Sequence, residues 1–176
     1  MFHYQVWYLS PSIPITSFLK SEEAKILLDN TPTITISGSR NMWIMAQEKV
    51  KTLLKHNNAQ LKGNIALVDR TGNLISVITI VEWMFSGVKK RYLGIFPMPG
   101  VSEKDIEESD KFGAVIHQNL IKNNLDNLQP QLLAIGAVKI KPFLITVDQT
   151  GNKIFKKWSN FIINKKSCLT NKFSCI

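Results

Sequence analysis

Cysteine is nearly absent from this chain, acidic residues are few, and no long apolar run occurs. The two cysteines, Cys168 and Cys175, both fall in the last nine residues. They are expected as reduced thiols on a loose tail in a reducing compartment. The alternatives are a disulfide closing that small loop or a share in a metal site, but zinc would want two more ligands close by and none is near in sequence. No apolar run approaches the roughly 18 residues of a spanning helix. The N-terminus, MFHYQVWYLSPS, lacks a basic lead and a sustained apolar stretch, so no secretory signal is expected and the cytoplasm is the default location. No serine stands in a G-x-S-x-G elbow, and His3, His56 and His117 are single and far apart, as surface or packing residues are. Asp69 and Glu82 flank an apolar segment like the acidic pair of metal-dependent nucleases. Those sites need a lysine two residues after the second acid, where this chain has Met84. No catalytic residue, cofactor or metal is therefore expected.

What is present is an ordinary globular composition, 44% hydrophobic and 20% charged over 176 residues, enough for one good core or two small ones. The net charge of +9 is unevenly spread. Residues 1–87 hold eight Lys/Arg against six Asp/Glu, and residues 88–176 hold fourteen against seven. After Asp148 there are six lysines and no acid. A basic second half favours an anionic partner, most often nucleic acid.

Taken in order, Phe2–Leu9 reads as a strand, with Pro11 and Pro14 punctuating its exit. Ser21-Glu-Glu opens a helix with acids in its first turn and Ala24, Leu27 and Leu28 on one face. Thr33–Ser37 is a strand. Asn41–His56 is the clearest helix, with Trp43, Ala46, Val50, Leu53 and Leu54 at core spacing. Asn57–Lys62 reads as a polar loop. Ile65–Val68 and Leu74–Val81 read as strands joined by Asp69–Asn73, and Lys89-Lys-Arg91 as an exposed junction. Tyr92–Phe96 is a short strand, and Ser102 with Asp105 suits a capping pair for a helix through about Lys111. Ala114–Leu120 is ambiguous between helix and strand. Leu125–Ile135 is helical, with Gly136 as its C-cap. Phe143–Val147, FLITV, has strand composition, Asp148-Gln-Thr-Gly151 has turn chemistry, and Lys153–Trp158 then returns as the second arm of a hairpin. Trp158, Phe161 and Ile162 begin a terminal helix.

Asp148-Gln-Thr-Gly-Asn152 matches Asp69-Arg-Thr-Gly-Asn73, as an internal duplication would give; the alternative is coincidence, since Asp and Gly are common in hairpin turns. Gly136, Val138, Pro142, Asp148 and Gly151 follow an order that resembles the second half of a thioredoxin-like domain, where a cis-proline precedes a strand and a hairpin. The resemblance covers about 25 residues, and Ala137 is one residue more between Gly and Val than that family's pattern. It implies a partner-binding groove beside Pro142, and the lack of C-x-x-C implies that the family's disulfide chemistry is absent. The expected fold is α/β: two tandem thioredoxin-like β-α-β-α-β-β units over 1–87 and 88–163, followed by a basic tail over 164–176. A single α+β domain using both hairpins is the alternative.

Three candidate sites follow. Lys89, Lys90, Arg91, Lys139, Lys141, Lys153, Lys156 and Lys157, interleaved with Phe155 and Trp158, suit single-stranded nucleic acid or another anion. The competing reading buries the aromatics, Trp158 above all, and leaves the lysines as a solvated face. Gly38, Ser39 and Arg40, where a strand meets a helix, are a phosphate candidate, against an ordinary turn with Ser39 as N-cap. Ile140, Pro142 and Phe143 are the partner-groove candidate that the thioredoxin-like resemblance implies. The acids of Glu103–Asp110 read as a solvated face. The expected function is a non-enzymatic binding or scaffold protein contacting nucleic acid or another anion. One alternative is a redox-inactive thioredoxin-like adaptor in a transfer or secretion assembly, and another is an enzyme using Gly38–Arg40 for phosphate.

Overall fold

The computed structural model describes residues 1–7, 9–39, 42–68 and 103–173, with the side chains of 103–104 and 165–173 outside that description. The fold is α/β. Its elements are β1 (Phe2–Trp7), β2 (Ser10–Pro11), α1 (Ile13–Leu19), α2 (Glu22–Leu28), β3 (Pro32–Ser39), α3 (Ile44–His56) and β4 (Gln60–Val68). Then come α4 (Glu103–Glu107), α5 (Asp110–Ile121), a 3₁₀ turn (Leu125–Asn127), α6 (Leu128–Ala134) and α7 (Pro142–Phe173).

The four strands form one sheet in the order β2-β1-β3-β4, with β1, β3 and β4 parallel and β2 antiparallel. Each parallel pair is joined by helices, as a parallel connection requires. Alternation along the strands serves two cores. Tyr4 of β1, with Phe2 and Val6 beside it, packs under Leu19, Ala24, Leu28, Ala46, Val50 and Leu54 of α1, α2 and α3. Ile34 and Ile65 pack on the other face against Phe112 and Ile116 of α5 and Leu128 and Leu132 of α6. In β4 the pairing passes from Leu61 opposite Thr33 to Gly63 opposite Ile34, so Lys62 is an extra residue. That bulge reverses the strand's alternation. Leu61 therefore serves the first core, and Ile65 and Leu67 the second.

Thr33, Thr35 and Ser37 of β3 are buried. On their face of the sheet runs a hydrogen-bond chain: Tyr4 Oη donates to Gln47 Oε1, Gln47 Nε2 to Thr35 Oγ1 at 3.0 Å, and Thr35 Oγ1 to Asn64 Oδ1 at 3.0 Å. Satisfied in this way, buried polar groups cost little. The outer edge of β4 is also covered: the Asn64 N–H donates to Gln129 Oε1 at 2.6 Å and the Ala66 N–H to the Ala137 carbonyl at 2.8 Å. Gly136 reaches that position by ending α6 at φ +82, with its own N–H on the Leu133 carbonyl and that of Ala137 on the Leu132 carbonyl. This left-handed helix stop is the one its glycine suggests.

Several expectations are corrected. Phe143–Val147 and Lys153–Trp158 are not a hairpin; with the segment between them, and the separate terminal helix, they belong to α7. Asp148–Asn152 is helical, so it is no turn, and its match Asp69–Asn73 lies outside the described residues. Among the described residues of 88–163 there is no strand, and 164–173 continues α7 instead of forming a loose tail. Pro142 opens α7 on a trans peptide, since the described residues contain no cis peptide bond. Pro14 lies in the first turn of α1, a helix that the proline pair conceals, and the first position or two of a helix tolerate proline. Ser21 does cap α2, its hydroxyl accepting from Ala24 N at 3.1 Å. Ala24 and Leu28 are buried there, whereas Leu27 is exposed. β4 begins at Gln60, inside the expected loop, and Ala114–Leu120 is helical within α5.

The physical cause of the largest correction is tertiary. A helix through Leu144, Asp148, Gly151 and Asn152 places these residues, three or four apart, on one side. Asp148 and Gly151, which read as a turn, and Asn152 after them become contacts to the body. The Asp148 carboxylate is buried, 1% exposed, at the N-terminus of α3. Asn152 Nδ2 donates to the Leu9 carbonyl at 3.0 Å. Gly151 lets the Leu9 side chain approach: a Cβ there would stand 3.1 Å from Leu9 Cδ1. Those contacts offset the roughly 1 kcal/mol that a mid-helix glycine costs.

Candidate partner interface

α7 has two halves with different surroundings. Its root is tied to the body. Met45 N–H, one of the amides that a helix leaves unpaired at its start, donates to Asp148 Oδ2 at 2.9 Å. Trp43 at the N-cap position offers no side-chain bond, so a carboxylate from over a hundred residues later serves instead. Asp148 Oδ1 and Ser39 Oγ are buried with no hydrogen-bond partner. Lys49 Nζ donates to Ser10 Oγ at 2.9 Å and to the Leu9 carbonyl at 3.3 Å. Leu9 takes φ +61, a conformation that is strained for leucine, and its carbonyl is held from both sides by Lys49 and Asn152. Burial pulls the Lys49 amine below the ordinary lysine value; Asp148 works against that shift and Lys156 adds to it.

From Lys153 to Asn164 every side chain but that of Ser159 is exposed. Lys153, Lys156 and Lys157 are exposed. So are the apolar residues between and after them: Ile154 53%, Phe155 48%, Trp158 62%, Phe161 52% and Ile162 57%. Trp158 and Phe161 meet edge to face, with ring centroids 6.1 Å apart. The reading that buried Trp158 is corrected. At 100° per residue, Ile154, Trp158, Phe161 and Ile162 share one side with Phe155 at its margin, while Lys153, Lys157, Asn160 and Asn164 share the other.

The expected basic patch is thus rearranged. Lys153, Lys156 and Lys157 stand together, but Lys139 and Lys141, also exposed, precede the root of α7. Lys141 and Lys153 are twelve residues apart, about 18 Å along a helix axis. Lys89, Lys90 and Arg91 lie outside the described residues, as do Arg40, Asp69, Glu82 and Cys175, and the Cys168 side chain. Of the phosphate candidate, Gly38 and Ser39 close β3, and Gly38 backs onto His3, whose Nε2 would lie 3.3 Å from an added Cβ. The helix N-terminus that a phosphate would use already holds Asp148. Of the groove candidate, Ile140 lines a cavity of about 400 Å³ with Trp43, Gln47, Gly63, Gln129 and Leu133, whereas Pro142 and Phe143 are exposed at the first turn of α7. His3, His56 and His117 are exposed, and no group of three metal-ligating side chains occurs among the described residues.

Sequence reasoning missed Asp148 and Lys49. Asp148 reads locally as a turn residue, and only its acidity in an otherwise acid-free stretch singles it out. No family model, curated protein or solved structure matches the chain.

Proposed function

We propose that this is a non-enzymatic binding protein whose α/β body presents the distal part of α7 to an anionic partner. The observation that carries the reading is the exposure of Lys153, Lys156 and Lys157 beside Phe155 and Trp158 on a helix rooted in the body by Asp148 and Asn152. Cations and rings side by side can meet phosphates and stack on flat groups, and nucleic acid is the first polyanion to test. Binding is favoured over phosphate chemistry at Gly38–Arg40, because the adjacent helix start is occupied by the chain's own carboxylate.

The test is fluorescence anisotropy of labelled single- and double-stranded DNA and RNA, with heparin as a general polyanion, titrated at two salt concentrations. Counterion release makes affinity fall steeply with salt. Replacing Lys153, Lys156 and Lys157 together by Glu should weaken binding by at least about a hundred-fold and flatten the salt dependence. Absence of binding to every polyanion at low salt would overturn the reading.

A further inference from the structure

We propose that the anionic partner of α7 is a lipid surface: residues 153–164 lie flat in the headgroup region of a bilayer containing anionic lipid. This rests on the proposed anion-binding role of α7 and names its partner.

The chemistry of the two sides carries the inference. A nucleic acid would find use for Lys153, Lys156, Lys157 and the rings of Phe155 and Trp158. It offers nothing to Ile154 and Ile162, which are 53% and 57% exposed on the same side as Trp158. By helical spacing the apolar arc from Phe161 through Ile154, Trp158 and Ile162 to Phe155 covers about 120° of the helix. Lys153, Lys157, Asn160 and Asn164 fill an arc opposite. Ile163, 60% exposed, stands outside the apolar arc beside Lys156. This is the division of a helix that seeks an interface: a basic face for headgroup phosphates and an apolar face for acyl chains, with Trp158 at the centre of the apolar face and Phe155 and Phe161 at its margins.

Length and charge agree. Residues 153–164 span about 18 Å, too short to cross a bilayer and long enough to lie on one. No helix among the described residues is long and apolar enough to cross a membrane. The chain after Asp148 carries six lysines and no acid, so its charge complements an anionic surface and opposes a second copy of itself. The root contacts of Asp148, Gly151 and Asn152 hold the start of the arm to the body.

The experiment uses the full chain in flotation with vesicles of phosphatidylcholine alone and of phosphatidylcholine with phosphatidylglycerol, beside heparin binding by anisotropy. The expected result is binding to the anionic vesicles and little to the neutral ones. Trp158→Glu and Ile162→Glu, both at exposed positions, should lower vesicle partitioning about ten-fold or more and leave heparin affinity within about two-fold. The triple lysine-to-glutamate variant should lose about a hundred-fold on vesicles and fail on heparin as well. Heparin binding without vesicle binding would overturn the lipid proposal and leave the anionic reading standing. Failure on both would overturn both. A dimer that Trp158→Glu dissolves, with no vesicle binding, would assign the apolar arc to a second copy and overturn the lipid proposal. Unchanged melting of each variant ties the losses to the surface of α7.

Discussion

Replacing Asp148 by alanine removes a carboxylate that caps α3 from outside its own segment. Met45 N–H gives its hydrogen bond, 2.9 Å long, to a carboxylate that is 1% exposed, and Trp43 supplies no side-chain substitute. A hydrogen bond to a charged acceptor contributes about 1.5–3 kcal/mol, and a negative charge at a helix start adds about 0.5–1. Against this stands the burial of Oδ1 without a partner, a cost of about 1 kcal/mol or more that the substitution relieves. The net loss is about 2 kcal/mol, which for a chain of this size lowers the melting temperature by about 4–8 °C. Asp148→Asn keeps the shape and the acceptor and should lose less than about half as much. The assay is thermal denaturation of both variants, with hydrogen exchange at the Met45 amide as the local probe. Faster exchange there and in the first turns of α7 is expected for the alanine variant. An alanine variant as stable as the parent, or more stable, would refute the reasoning, since the buried carboxylate would then be a net cost and not a tether.

Tyr4 gives a prediction in pH. Burial raises its phenol well above the ordinary value of 10.0, with the Ser37 hydrogen bond acting the other way. The unfolded chain therefore loses this proton first, so stability is full below pH 10 and falls above it by up to about 1.4 kcal/mol per pH unit. Tyr4→Phe should remove that alkaline component in denaturant melts while costing about 1–2 kcal/mol at neutral pH, because Gln47 Oε1 loses its donor. Two glycines should respond in opposite directions to alanine. Gly136→Ala, at φ +82, should lose about 1 kcal/mol, and Gly113→Ala, inside α5 with open space around it, should gain about 0.5–1, both read by chemical denaturation.

Much of the first half was legible because its local patterns agree with its contacts. The TITIS run of β3 alternates as a strand and is one. Val50 and Leu54 of α3 recur at helical spacing and are buried. The Ser21 cap and the Gly136 stop also act as their residue types suggest. Two features were hidden by partners far away in sequence. β4 begins early because Gln60 and Leu61 pair with Pro32 and Thr33, and its bulge at Lys62 has no local signature. α7 combines β-branched Ile145 and Val147 with Asp148 and Gly151, which alone favour strand and turn. Helix is selected there because Asp148 and Asn152 reach Met45 and Leu9. The lysines of the candidate interface were legible as charge. Their separation from an exposed apolar arc was not, since it exists only when 153–164 is helical.

The claim on which the account depends is that Phe143 and Lys156 belong to one continuous helix. A spin-label pair at these two exposed positions measures it directly by electron double resonance. Thirteen residues of helix set the labelled backbones about 20 Å apart. A narrow distribution near that separation, allowing for label length, is the expected result. In a hairpin turning at 148–151 these two positions face each other across the strands, about 5 Å apart. A population at that short distance would contradict the helix, and with it the amphipathic division of residues 153–164.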